Sequence, residues 1–209
     1  MNNVFKFFCT IVFVIIITVG FTACKPCTVL FTNLEHFFTA ILDDEGNFTV
    51  NETLEGHSGG NWKLFREIKR AEKNTYSFGT EWDGNYSFRW WEEYYKNNYP
   101  LDGDCWYRNG NSEASIKTGT WETSSGDWAN TNVFLAHDGG KLFYDIAENG
   151  AFTKNGNEYT LHNAPLAQSI TSAKIIISPT QVIVEVSCCC TDFELIFTNF
   201  GTTSVVLPD

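Results

Sequence analysis

Positive charge is scarce in this chain. Fourteen Lys and Arg stand against 25 Asp and Glu, for a formal net charge of −11. A field of that sign repels phosphate, so the sequence argues against nucleic acid as a partner. Histidine is scarce as well. His36, His57, His137 and His162 show no pairwise ligand spacing, and there is no His-Glu-x-x-His and no doubled Cys-x-x-Cys. A Gly-x-Ser-x-Gly elbow and a phosphate-cradling loop are both missing. Asp43, Glu45 and Asn47 alternate oxygen donors, as do Asp102 and Asp104, without the spacing or closing Glu of a calcium loop. No metal and no cofactor is expected.

Aromatic residues are plentiful: 18 Phe, 8 Tyr and 7 Trp in 209 residues. Such rings favour pleated, half-buried surfaces and tilt the expectation toward β structure. With 43% apolar and 19% charged residues, the chain has enough apolar surface for a sizeable core.

The first 23 residues read as a signal segment. Lys6 is their one charge, and Phe7 to Phe21 is almost wholly apolar. That run has the length of a signal-peptide core and is short for the ~20 residues of a membrane span. It ends in Phe21-Thr22-Ala23-Cys24, which resembles the lipobox of bacterial lipoproteins. The resemblance implies a lipid on Cys24, membrane attachment and an extracytoplasmic location. Phe21 departs from the usual Leu. Ordinary secretion, with cleavage guided by Gly20 and Thr18 or by Thr22 and Gly20, is the alternative, and an uncleaved anchor is a third. Export places the remaining cysteines in an oxidising setting. A disulfide is expected between the Cys188-Cys189-Cys190 run and Cys27 or Cys105, because adjacent cysteines bond each other poorly.

Residues 24–60 read as an extension with the first elements, including a short helix over Asn33–Leu42 capped by Asn33. Residues 61–209 read as a β-rich domain. Asn61–Lys73 fits either a helix or a strand; the strand puts Trp62, Leu64 and Ile68 on one face together with Arg66. The best-defined strands are expected at Ile116–Glu122, Asn132–His137, Lys141–Ile146, Glu158–His162, Ala173–Ser178, Gln181–Ser187 and Phe193–Thr198, with a weaker one at Ser204–Leu207. Asp138-Gly139-Gly140 and Asn155-Gly156 look like hairpin turns, and Ser178-Pro179-Thr180 like a tight connection. The fold class is all-β, an antiparallel sandwich or up-and-down barrel, with room for one or two short helices in the N-terminal half. Gly119-Thr120-Trp121 opens the strand series, which resembles small bacterial lipocalin-like domains. That resemblance implies a barrel with Trp121 as a buried structural plug. The same triplet pattern recurs at Gly60-Asn61-Trp62 and Gly126-Asp127-Trp128.

Phe88-Arg89-Trp90-Trp91-Glu92-Glu93-Tyr94-Tyr95 is the densest aromatic segment. Trp90, Trp91, Tyr94 and Tyr95 are the candidate ligand-binding residues, since such rings can stack on the flat faces of sugars; the competing reading is that they fill a core. On a strand, Trp90, Glu92 and Tyr94 share one face, and Trp91, Glu93 and Tyr95 the other. Glu92 and Glu93 therefore cannot be the paired acids of a glycosidase. No catalytic residue is assigned. The expectation is a non-enzymatic extracytoplasmic protein, held at a membrane by lipid, that binds a glycan or a small apolar molecule. A secreted glycan hydrolase and a structural or adhesion protein are the alternatives.

Overall fold

The computed structural model describes residues 31–42, 46–56, 62–71, 74–83, 87–96, 102–127, 138–162 and 170–208. The signal segment, Cys24, Cys27 and the expected strand at Asn132–His137 lie outside the described residues. Helix α1 spans Leu34–Leu42, followed by strands β1 (Phe48–Gly56), β2 (Trp62–Ala71), β3 (Asn74–Asp83), β4 (Ser87–Tyr95) and β5 (Asp102–Gly110). Helix α2 (Glu113–Thr118) leads to β6 (Glu122–Asp127), and α3 (Asp138–Asn149) leads to β7 (Phe152–Asn155) and β8 (Glu158–Leu161). Strands β9 (Ile170–Ile177), β10 (Val182–Cys188) and β11 (Thr191–Thr198) complete the chain.

All these strands form one antiparallel sheet in the order β6-β5-β4-β3-β2-β1-β11-β10-β9-β8-β7. The protein is all-β with a few short helices, as expected. The neighbour order is that of an up-and-down meander in which β1 pairs with β11. Among the described residues its ends, β6 and β7, do not pair, so the expected barrel does not close. Among the described residues all strands belong to this one sheet, and α1 and α3 pack on its core face.

Strict alternation explains which face is buried. Phe48, Val50 and Leu54 of β1 point to the core face, with Phe193, Leu195 and Phe197 of β11 and Val182, Val184 and Val186 of β10. The register stacks them: Val50 faces Phe197, which faces Val182, and Leu54 faces Phe193, which faces Val186. Phe37 of α1 and Phe143 of α3 close over them, each edge-on or tilted against Phe197 at 5.2 and 5.3 Å between ring centroids. The cap of α1 is as expected, the His36 amide donating to Asn33 Oδ1 at 2.9 Å.

Several expectations need correction. Lys141–Ile146 is not a strand but part of α3. Leu142, Phe143 and Ile146 are buried at helical spacing, whereas Tyr144 is 47% exposed. Asp138-Gly139-Gly140 is accordingly the first turn of that helix rather than a hairpin. Gly139 is needed there because a Cβ would lie 2.0 Å from Glu52 Oε1. Ile116–Glu122 is not a strand either. Ser112 and Ser115 form a reciprocal capping box that starts α2, and Gly119 ends it. Trp121 sits just ahead of β6, half-buried rather than buried inside a strand. Ser204–Leu207 forms no strand. Asn155-Gly156 does make the β7–β8 turn, with Gly156 at φ 63°. The strands expected in β8, β9, β10 and β11 are present within a few residues, and Asn61–Lys73 resolves as strand β2.

Core and surface aromatics should separate sharply on truncation. Phe197→Ala removes a ring at the centre of the packed cluster and is expected to cost about 3–5 kcal/mol. Phe65→Ala, at a position 48% exposed, should stay within about 0.5 kcal/mol. Urea denaturation of the two variants checks the assignment of faces.

Candidate binding surface

The four candidate rings divide between the two faces of β4, as strand alternation requires. Trp91 and Tyr95 face the core side. Trp91 is 7% exposed. Its ring lies across Gly79, where a Cβ would come within 2.2 Å of it, and its indole N–H donates to Ser77 Oγ at 3.4 Å. The Arg66 guanidinium stands 5.4 Å from its centroid. Tyr95 donates to Glu93 Oε2 at 3.2 Å. These two rings are structural.

Trp90 and Tyr94 lie on the reverse face, where sequence reasoning missed their neighbours. Register places Tyr76 and Trp106 beside Tyr94, and Phe78 and Arg108 beside Glu92. Tyr76 and Tyr94 approach to 4.8 Å between centroids, and Phe78 and Trp90 to 5.7 Å. Trp121 meets Tyr94 edge-on at 5.4 Å and carries the Arg108 guanidinium over its ring at 4.2 Å. The period-two run Tyr76-x-Phe78-x-Thr80-x-Trp82 was a legible signal for this surface. All the named rings are half-buried, with part of each open to solvent.

At the centre of the surface, Arg108 donates through Nε and Nη2 to Glu92 Oε2 at 2.8 and 2.6 Å. The side chains are 15% and 12% exposed. Such a pair holds donors and an acceptor fixed among apolar rings. Burial, and then the Glu92 carboxylate, raises the ionisation of Tyr76 and of Tyr94 above the ordinary phenol value. Both therefore stay neutral hydroxyls at physiological pH. Glu92 and Glu93 point to opposite faces, which separates them as glycosidase acids must not be separated.

The expected disulfide to Cys105 is not formed. Cys105, Cys188, Cys189 and Cys190 are all free thiols. Cys105 is buried on β5, with five strands between it and β10. Six inter-strand spacings of about 4.8 Å each along the sheet exceed by far the roughly 7 Å Cα separation a disulfide can bridge. Burial, with the Glu93 charge adding to it, pushes the Cys105 thiol up to about 11. The three successive cysteines sit instead at the β10–β11 connection.

Two alpha helices and the β7–β8 hairpin enclose a second feature, a groove of about 650 Å³ floored by Leu34, Phe38, Leu42, Ala147 and Phe152. Glu35, Glu148 and Lys154 stand at its rim. No protein-family model matches the chain, and no characterised protein is significantly similar to it.

Burial raises the Glu93 carboxyl above its ordinary 4.5, against a smaller lowering by Tyr95 and Arg66. A raised folded-state value means that the neutral form is favoured in the fold. The stability it contributes is complete below the unfolded carboxyl value and is lost as pH rises through the folded one. Glu93→Gln, which stays neutral, should therefore gain stability relative to the parent between pH 4 and pH 7. Denaturation midpoints across that range give the sign; a gain that shrinks with rising pH contradicts the assignment.

Proposed function

We propose that this is a non-enzymatic, extracytoplasmic binding protein, lipid-anchored at Cys24, whose ligand is a glycan lying on the reverse face of β3, β4 and β5. The observation that carries this reading is the surface built by Tyr76, Phe78, Trp90, Tyr94 and Trp121 around the Arg108–Glu92 pair. Sugar rings offer flat apolar faces edged with hydroxyls. Neutral aromatic rings take the faces, and a fixed ion pair with neighbouring phenols takes the hydroxyls. The glycan-hydrolase alternative needs two acids flanking one bond. Glu92 is held by Arg108 and Glu93 lies on the other face, so neither supports it.

A second reading, a small apolar ligand, is favoured by the groove between α1 and α3. Binding of an apolar fluorophore that Trp90→Ala leaves intact would support it.

Affinity electrophoresis through a panel of immobilised polysaccharides tests the glycan reading. At least one should retard the protein, and Trp90→Ala or Tyr94→Ala should weaken the interaction about tenfold, the equivalent of ~1.4 kcal/mol. Tyr144→Ala, exposed on α3 over the opposite face of the sheet, should bind normally. Retardation by none of the polysaccharides, or equal loss in the Tyr144 variant, would overturn it.

The anchor has its own test. Cys24→Ser expressed in a bacterial host should accumulate as unprocessed precursor or leave the membrane fraction. Intact mass showing a mature N-terminus at another residue, without a diacylglycerol adduct, would refute lipidation.

A further inference from the structure

Three successive cysteines occupy a place where side chains are usually Gly, Asn or Asp. Strand β10 ends at Cys188 and β11 begins at Thr191, so Cys189 and Cys190 form the connection between them, just beyond the Ser187–Asp192 pair. The ladder to β9 shifts register between Ser187 and Cys188, which turns this end of the hairpin. Cys188 packs its half-buried side chain against the core, while Cys189 and Cys190 are exposed. The sulfurs of that exposed pair lie 3.4 Å apart, in thiol–thiol contact. The glycan surface uses neither of them, and both are accessible to a ligand from solvent.

We propose that the Cys189–Cys190 dithiol is a binding site for a soft monovalent metal ion, the cuprous ion. Two thiolates satisfy a cuprous ion, and soft sulfur ligands select it over harder cations. Zinc asks for four nitrogen or sulfur ligands. Among the described residues no group of three or more His, Cys, Asp and Glu converges to hold a metal, so the donor count fits the two-coordinate ion. A disulfide within the pair is disfavoured for a separate reason. Neighbouring Cα atoms are about 3.8 Å apart, inside the ~4.4 Å lower limit of ordinary disulfides. Both sulfurs therefore remain available as ligands. On binding, each thiol gives its proton to water and its sulfur lone pair to the metal; two protons leave, one cuprous ion enters, and no electron changes hands. Affinity accordingly falls as pH falls.

Competition against a chromophoric cuprous chelator tests this, using the full chain under anaerobic conditions with a non-thiol reductant. The parent protein should withdraw one cuprous ion per chain, less effectively at lower pH. Cys189→Ser and Cys190→Ser should each lose that equivalent, and Cys105→Ser should keep it. Circular dichroism of the two serine variants should match the parent, since both positions are exposed on a hairpin connection. A parent protein that leaves all copper with the chelator overturns the proposal. So does full retention in Cys189→Ser, or loss in Cys105→Ser.

Discussion

The sheet depends on a buried carboxylate at its centre. Strand β1 joins the two runs of the meander, with β2 on one side and β11 on the other. In the middle of β1, on the core face, stands Glu52. One of its oxygens accepts from the Gly139 amide at 3.1 Å, and the other lies 3.3 Å from Arg66 Nη1. The first contact ties the N-terminal turn of α3 to the sheet, where the helix dipole also favours a negative charge. The second ties β2 to β1. A buried pair of this kind contributes little net stability, but removal of one partner leaves an uncompensated charge in the interior. The arrangement therefore specifies position: it sets where α3 crosses the sheet, and the packing of Phe143 on Phe197 follows.

Around that centre the two halves of the sheet use their faces differently. Over β9, β10, β11 and β1 the core face is aliphatic and phenylalanine-rich, and two helices cover it. Over β3, β4 and β5 the core face carries small polar residues, Thr75 and Ser77 among them, which leave room for Trp91 and Tyr95. The reverse face of this half then carries the second set of rings. Because β4 alternates strictly, its aromatic content is shared between a structural role and an exposed one. Trp90 and Tyr94 belong to the surface for the same reason that Trp91 and Tyr95 belong to the interior.

Much of this was legible in the sequence. The β-branched alternation of β9, β10 and β11 marks strands without ambiguity, and the division of β4 follows from its pleat alone. The helix α3 was not legible, because Leu142, Tyr144 and Ile146 also alternate as a strand would. What decides for the helix is a distant partner, Glu52, which local pattern cannot contain. The same carboxylate explains the ambiguity of β2: Arg66 spoils an apolar face until its ion pair is known. The short α2 hid behind Gly119-Thr120-Trp121, since a capping box made of Ser112 and Ser115 lacks the usual acidic third residue. The reverse-face surface was half legible. Trp90 and Tyr94 stood out through sheer density and Tyr76 and Phe78 stand in a period-two run, whereas Arg108 joins them only through strand register and Trp121 only through its contacts with Tyr94 and Arg108. The expected disulfide to Cys105 failed because sequence spacing carries no information on which strands separate two cysteines.

The division of the β4 rings between two faces can be observed directly. In a nitrogen-15 correlation spectrum, the indole N–H resonances of Trp90, Trp91 and Trp121 can be assigned by single substitutions and followed during titration with a polysaccharide that the protein binds. The account predicts that the Trp90 and Trp121 signals shift together with ligand concentration while Trp91, bonded to Ser77, stays in place. A shift at Trp91 with Trp90 and Trp121 unmoved would contradict it.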